Sequence, residues 1–479
     1  VVVAMLPGVR ECGMLVLGIR RQGAVVWPSP HMLTVKDSAY RIKEGDFEMV
    51  STDRDNMDKV DEVAADCPNL QLRMLVDDKP GERLPTPWIG YQNELLYPAP
   101  VSTKLVSSVG RKMLSTDPML IYFTSGTTKD PKMVLHDYGH PLGQTVTAKF
   151  WHDLTEYDVH FTVSDTGWAK CGWGKIYGQW ICGACIFVYD YRTKFHATEL
   201  LPLIERYGIT SFCAPPTIYR MLLIADLKKF SFSELRTCTR EGEPLNPEVI
   251  RIWKEGTGLT IREGYGQTET CCCIATMPGM EVKQGSMGKP VPGWHIQLHD
   301  DDGNEVPQGE TGRIAISLDP RPAGLIREYL DNPEENAAMF VNGWYYTGDK
   351  AYKDEDGYFW FVGRNDDVIK SSGYRISPFE VESTLLEHPA VKESAVVGSP
   401  DSIRGMVIKA FIVLHDGYQP SEKLVKDIQD YVKRTTAPYK YPRQIEFVTE
   451  LPKTISGKIK RAELRNRELQ RFAEENGEN

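Results

Sequence analysis

Tyr122-Phe123-Thr124-Ser125-Gly126-Thr127-Thr128-Lys129-Asp130-Pro131-Lys132 is the segment from which the architecture of this chain is best read. The apolar run Met119-Leu120-Ile121-Tyr122-Phe123 ahead of the loop is short and bounded, as a buried strand is. Hydroxyls, a glycine and two lysines then crowd one loop. Backbone NH groups, Ser and Thr hydroxyls and an ammonium can all be offered to phosphate oxygens, which points to a polyphosphate guest. A Walker-type loop is excluded. The pairs Gly174-Lys175, Gly288-Lys289 and Gly457-Lys458 are followed by Ile176, Pro290 and Ile459, none of which brings a hydroxyl to Mg²⁺.

A chain of 479 residues exceeds one ordinary core, so two or three packed units are expected. With 41% hydrophobic and 25% charged residues it reads as a globular protein. The net charge of −10 provides no global basic field, which argues against nucleic acid as a partner. No apolar run reaches membrane-spanning length, and no signal peptide is indicated. Ten irregularly spaced cysteines suit a reducing compartment, so a cytoplasmic location is expected, or the mitochondrial matrix in a eukaryote. Cys182-Gly183-Ala184-Cys185 has redox or zinc spacing but no second matching pair. Together with Cys271-Cys272-Cys273 it is read as buried strand cysteine, without a metal.

Outward from the loop, β-α alternation organises the first half. Residues 1–8 read as a strand, 11–20 as a helix and 24–27 as a strand. A start without methionine implies missing upstream sequence. Residues 77–100, rich in Pro, Gly and charge, read as a connecting surface segment. Strands at 182–188 and 209–214 alternate with helices at 197–207 and 217–225, and Asn246-Pro247 opens a helix with Val249, Ile250 and Trp253 on one face. This rhythm predicts doubly wound sheets. Beyond Gly285 short segments punctuated by Gly, Pro and Asp predict a β-rich subdomain. After Gly363, a helix capped by Ser377 with a Glu380 capping box, strands at 394–397 and 407–414, and a helix capped by Ser421 make a separate small α+β unit. The expected organisation is a large N-terminal α/β domain at 1–363, incomplete at its start, a hinge at 364–367 and a small mobile C-terminal domain at 368–479. From Lys458 onward the chain reads as a charged, polar tail.

Further islands complete the pattern: Gly242-Glu243-Pro244, Tyr265-Gly266-Gln267-Thr268-Glu269, Tyr346-Thr347-Gly348-Asp349, Gly363-Arg364-Asn365-Asp366-Asp367 with Gly373-Tyr374-Arg375, and Pro452-Lys453-Thr454-Ile455-Ser456-Gly457-Lys458. Their order and spacing resemble the adenylate-forming superfamily of acyl-CoA synthetases, luciferases and peptide-synthetase adenylation domains, over essentially the whole chain. Asp165-Thr166-Gly167-Trp168 and Ala437-Pro438-Tyr439-Lys440-Tyr441-Pro442-Arg443 are similar to segments of the medium-chain acyl-CoA synthetases.

That resemblance implies ATP, Mg²⁺ and coenzyme A as cofactors, a small carboxylic acid as substrate, and an acyl-AMP intermediate. It implies that Thr124, Ser125, Gly126, Thr127, Thr128 and Lys132 hold the β- and γ-phosphates. Gly242, Glu243, Pro244 and Tyr265, with Glu263, Gly264, Gly266 and Gln267 around it, would frame the nucleotide. Glu269 would bind Mg²⁺, Thr268 would touch the substrate carboxylate, and Asp349 with Arg364 would take the ribose. Lys458 would stabilise charge on the entering and leaving oxygens in the first half-reaction. Asp366 matches the pivot position, and Ser372, Gly373 and Tyr374 would line the pantetheine tunnel. Arg375, Arg404, Lys433, Tyr441 and Arg443 are candidates for nucleotide or CoA phosphates, and Trp168 for a wall of the acyl pocket. One departure stands out: the family has glycine where this chain has Lys129, so a positive φ there would cost about 1 kcal/mol or more. A carrier-protein or amine acceptor, and a non-catalytic nucleotide-binding relative, are the alternatives. Acyl length and oligomeric state are not encoded in these motifs.

Overall fold

The computed structural model describes residues 1–96, 112–124, 131–190, 196–241, 247–364, 367–371, 374–401, 405–454 and 458–475. The opening alternation forms the strands Val2–Met5 and Val26–Ser29, parallel neighbours joined by the helix Arg10–Arg21. That helix buries Cys12, Leu15 and Val16 and ends on Arg20 and Arg21, a charge placement that complements its dipole. Met49–Thr52 and Leu72–Leu75 extend the sheet in parallel. Trp88–Gly90 adds a further strand inside the stretch expected to be a surface connection. The buried Trp88 ring, whose Nε1 donates to Asp61 at 2.9 Å, outweighs the turn-rich composition around it.

On the other side, Pro118–Phe123 pairs in parallel with Val26–Ser29, and Met133–Asp137 then returns antiparallel, with Glu328–Tyr329 at the far edge. The hydroxyl-rich segment therefore joins two antiparallel strands and does not lead into a helix. Its neck is closed by Thr124 and Lys132: the Thr124 amide donates to the Lys132 carbonyl at 3.0 Å, and the Lys132 amide donates to Thr124 Oγ1 at 3.2 Å.

A second, twelve-stranded sheet begins with the parallel strands Val159–Thr162, Ser211–Cys213, Thr237–Glu241 and Ile261–Gln267, with Cys185–Ile186 at its edge. The region beyond Gly285, expected as a β-rich subdomain, is an antiparallel continuation of this same sheet through Cys271–Ala275, Ser286–Pro290, Phe359–Arg364 and Trp344–Lys353. Between the sheets lies the largest apolar cluster, which includes Tyr122, Trp151, Trp173, Tyr177, Cys271 and Tyr345.

None of the ten cysteines is in a disulfide; eight are buried, Cys182 is half-buried and Cys185 is exposed. Cys271, Cys272 and Cys273 sit in a buried strand as expected. Burial of the Cys182–Cys185 pair is not found, because Cys182 ends the helix Tyr177–Ile181 and Cys185 opens the edge strand.

The small lobe is a three-stranded sheet, Val391–Asp401, Gly405–Leu414 and Gln444–Phe447, with the hairpin Ile369–Ser371 and Tyr374–Ile376. Ser421 caps the helix Glu422–Thr435 by accepting from the Leu424 amide, and Ile428 and Val432 are its buried stripe. Ser377 caps Pro378–Leu386 in the same way, but Glu380 completes no capping box; its carboxylate pairs with Lys440. The expected polar tail is instead the helix Arg461–Glu475. A buried charge cluster docks it: Lys409 Nζ lies 2.6 Å from Glu468 Oε1 and 2.8 Å from Glu446 Oε2, and Ser399 Oγ donates to Glu468 Oε2 at 2.9 Å.

Candidate active site

The strand Ile261–Gln267 runs parallel to Thr237–Glu241 and antiparallel to Cys271–Ala275, and its register shifts between Tyr265 and Gly266. This bulge turns Gln267, Thr268 and Glu269 into a cleft of about 840 Å³ between the two lobes. Thr124, Lys132, Glu263, Gly264, Tyr265 and Gly266 line the cleft from the large lobe, as do Asp349 and Arg364. Lys458 lines it from the small lobe. Twelve of the sequence-expected residues, drawn from both lobes, thus share one space.

Asp349 is the best-defined member. The antiparallel register sets it opposite Arg364, whose Nε lies 3.9 Å from Asp349 Oδ1. Its other oxygen accepts from Tyr265 Oη at 2.7 Å and from Gln267 Nε2 at 2.7 Å. Gln267 Nε2 also donates to the Thr347 carbonyl at 2.9 Å. Burial raises the proton affinity of Asp349, while Arg364, the two hydrogen bonds and the charge of Lys458 act against it. The last of these places the ammonium of Lys458 within electrostatic reach of the carboxylate. Tyr265 and Gln267 thus aim Asp349, and the Tyr265 ring pairs with Phe361 at 6.4 Å between centroids.

Glu269 Oε1 accepts from Tyr329 Oη at 3.0 Å. Burial raises its proton affinity, and neighbouring Asp349 adds to that, while the Tyr329 hydrogen bond and Arg364 lower it. Among the described residues no group of three or more His, Cys, Asp or Glu side chains could cage a metal. A single carboxylate lining the same cleft as Lys132 nonetheless fits Mg²⁺, which is commonly held by one or two carboxylates together with substrate phosphate oxygens. Lys132 pairs with Glu335, and its Nζ lies 5.6 Å from the centre of the Tyr329 ring.

Lys458 is tied to Thr454: its amide donates to Thr454 Oγ1 at 3.1 Å, and its carbonyl accepts from the Thr454 amide at 2.8 Å. The helix that follows is anchored by Arg461 to the buried Glu382 and by Arg465 to Asp367. Thr268 lines the cleft, and its carbonyl meets the buried His136 Nε2 at 2.8 Å.

Other expected residues are tied to protein partners, lie away from the cleft or fall outside the described residues. Glu263 is buried against Arg240, its partner in the parallel register, so its carboxylate is already committed. Lys433, Tyr441 and Arg443 gather around one ring on the small lobe, outside the residues lining the cleft: Lys433 Nζ is 4.3 Å above the Tyr441 ring, and Arg443 Nη1 donates to Tyr441 Oη at 2.6 Å. Trp168 also lies outside the cleft lining. It sits in a turn where its amide donates to the Asp165 carbonyl at 3.2 Å and the Gly167 amide to Asp165 Oδ1 at 2.8 Å. Ser125, Gly126, Thr127, Thr128, Lys129, Gly242, Glu243, Pro244, Asp366, Ser372, Gly373 and Arg404 lie outside the described residues. Of Tyr374 and Arg375 only the strand pairing is described. Conversely, Tyr329, Glu335, Phe361 and Arg240 line the cleft without belonging to a residue set that sequence reasoning singled out.

Comparison with known proteins finds relatives over nearly the whole chain. The model of the AMP-binding enzyme family matches residues 1–330, and that of the AMP-binding enzyme C-terminal domain matches 380–458. The mitochondrial acyl-coenzyme A synthetase ACSM3 of Rattus norvegicus is 47% identical over 471 residues, 98% of this chain and 79% of its own length. Among solved structures, the anthranilate CoA ligase AuaEII, in complex with anthranoyl-AMP, superposes with a TM-score of 0.87 at 32% identity, covering 98% of this chain and 88% of its own. The acyl-CoA synthetase of Brucella canis does so with a TM-score of 0.68 at 33% identity, covering 98% and 84%. The chain belongs to the AMP-binding, adenylate-forming enzymes and, within them, to the medium-chain acyl-coenzyme A synthetases.

Proposed function

We propose that this chain is an AMP-forming acyl-CoA synthetase acting on a medium-chain or related carboxylic acid. In the first half-reaction a carboxylate oxygen attacks the α-phosphorus of ATP and pyrophosphate leaves. In the second the sulfur of CoA attacks the acyl carbonyl, forming the thioester and releasing AMP. The observation that carries the reading is that Lys458, from the small lobe, faces the same cleft as Asp349 and Glu269 of the large lobe.

Asp349 would accept the ribose hydroxyls on the oxygen that Tyr265 and Gln267 leave open, with Arg364 alongside. Lys132 would meet the terminal phosphates, exchanging Glu335 for them. Glu269 would hold Mg²⁺, which when bound neutralises the charge on the triphosphate. Lys458 would place its ammonium beside the oxygens on which charge develops. Thr268, at the end of the bulged strand, would orient the incoming carboxylate, and Trp168 would wall the acyl group. The cluster of Lys433, Tyr441 and Arg443 is suited to CoA phosphates. The separate sheets support a division into lobes near residues 364–367. A relative solved with an acyl-adenylate supports the intermediate, and the mitochondrial name of ACSM3 supports a mitochondrial setting in a eukaryotic source.

The test is carboxylate-dependent exchange of pyrophosphate into ATP, followed by CoA-dependent AMP release; absence of both across short and medium-chain acids rejects the reading. Lys458→Ala is expected to slow adenylate formation by about 10²-fold or more, while thioester formation from supplied acyl-AMP proceeds. Equal loss in both steps would remove Lys458 from its role.

A further inference from the structure

Tyr329 joins two parts of the cleft that come from different sheets. It lies on the short edge strand Glu328–Tyr329, opposite Val134 in the register with Met133–Asp137. The residue is locked in place: its amide donates to Asn336 Oδ1 at 2.8 Å and its carbonyl accepts from Asn336 Nδ2 at 2.7 Å. Nearby, the Ile326 amide donates to the Glu269 carbonyl at 2.6 Å. The side chain is 3% exposed.

Its hydroxyl lies 3.0 Å from Glu269 Oε1 and 3.2 Å from the hydroxyl of the fully buried Tyr345. An ionised carboxylate only accepts, so the Tyr329 proton points to Glu269 and Tyr345 in turn donates to Tyr329. The Tyr329 ring meanwhile faces Lys132 Nζ at 5.6 Å, and Lys132 is paired with Glu335 on the helix Pro333–Met339 that follows the strand. One buried side chain therefore touches the carboxylate of the second sheet with its hydroxyl and the ammonium of the first with its ring.

We propose that Tyr329 is a positioning residue that sets Glu269 for the metal and holds it in register with Lys132, with Tyr345 supporting its hydroxyl from behind. The proposal rests on the reading of Glu269 and Lys132 given above. A residue that merely filled space here would contribute through its ring alone. Tyr329→Phe keeps the ring and deletes the donor, which separates the two.

The experiment measures Mn²⁺ binding in the presence of ATP by electron paramagnetic resonance, and pyrophosphate exchange as a function of free Mg²⁺. Tyr329→Phe is expected to weaken Mn²⁺ binding and raise the half-saturating Mg²⁺ by about tenfold, with exchange largely restored at high Mg²⁺. Tyr345→Phe should shift both in the same direction by less. Tyr329→Leu, which also loses the ring, should additionally raise the KM for ATP. A Tyr329→Phe protein with the wild-type metal profile, or with a loss that Mg²⁺ does not relieve, overturns the proposal. If Tyr329→Phe does not fold, Tyr345→Phe decides by the same two measurements. Wild-type protein without carboxylate-dependent exchange would sink the enzymatic reading instead, and the Mn²⁺ titrations would still decide the role of Tyr329.

Discussion

A Cβ placed on Gly266 would lie 1.7 Å from the carbonyl oxygen of Cys271, so the bulge admits no side chain there. Gly266→Ala must push the strands apart, and it moves Tyr265 and Gln267, the two donors that aim Asp349. We expect a loss of about 1–3 kcal/mol in unfolding free energy together with a raised KM for ATP; an unchanged KM would show that Asp349 is aimed by other means. At this scale the sequence was most legible where chemistry is packed into a few consecutive residues, as at Asp349 with Thr347 and Gly348. It failed at Tyr329, whose partner Glu269 lies 60 positions away and whose neighbours carry no chemical signature. Glu263 lines the cleft as its motif position suggests, but its ion pair could not be read from the sequence. A buried arginine in register on the next strand claims its charge.

The helix Arg461–Glu475 was hidden because its docking face is ionic as well as apolar: Ala462, Leu464 and Glu468 are all buried. Burial alone would raise the proton affinity of Glu468, yet Lys409, Ser399 and Arg471 hold it below the usual carboxylate range. Lys409→Met strips the main counter-charge and is expected to cost the small lobe about 3–5 kcal/mol, whereas adding Glu468→Leu to it should recover much of that loss. Denaturant unfolding of the single and double variants reads both values; a single variant as stable as the wild type would refute the assignment. Elements with clean periodicity, such as Glu422–Thr435 and Val2–Met5, were legible from spacing alone. Strand order was not. Nothing local reveals that the region beyond Gly285 continues the second sheet, because that depends on pairing across the chain.

In the molecule as a whole, four buried imidazoles, His136, His140, His152 and His160, share one electrostatic condition. Burial holds all four below the ordinary histidine range, with His136 and His160 at about 4 and the other two well below 6.5. Between pH 6.5 and 4 these rings bind more protons in the unfolded chain than in the folded one, and the stability they contribute falls as the pH is lowered through that window. Each such group contributes about 1.4 kcal/mol per pH unit, so the melting temperature should drop steeply below pH 6.5. Calorimetry in buffers of different ionisation enthalpy should show net proton uptake on unfolding at pH 5; net release would mean that the buried carboxylates, such as Asp349 and Glu269, outweigh these rings. The placement of the thiols has a practical corollary. With eight of ten sealed inside and Cys182 partly covered, a maleimide dye should attach first at Cys185. That fluorophore would report from the sheet edge, well removed in sequence from every cleft residue, and further labelling on warming would time the opening of the interior.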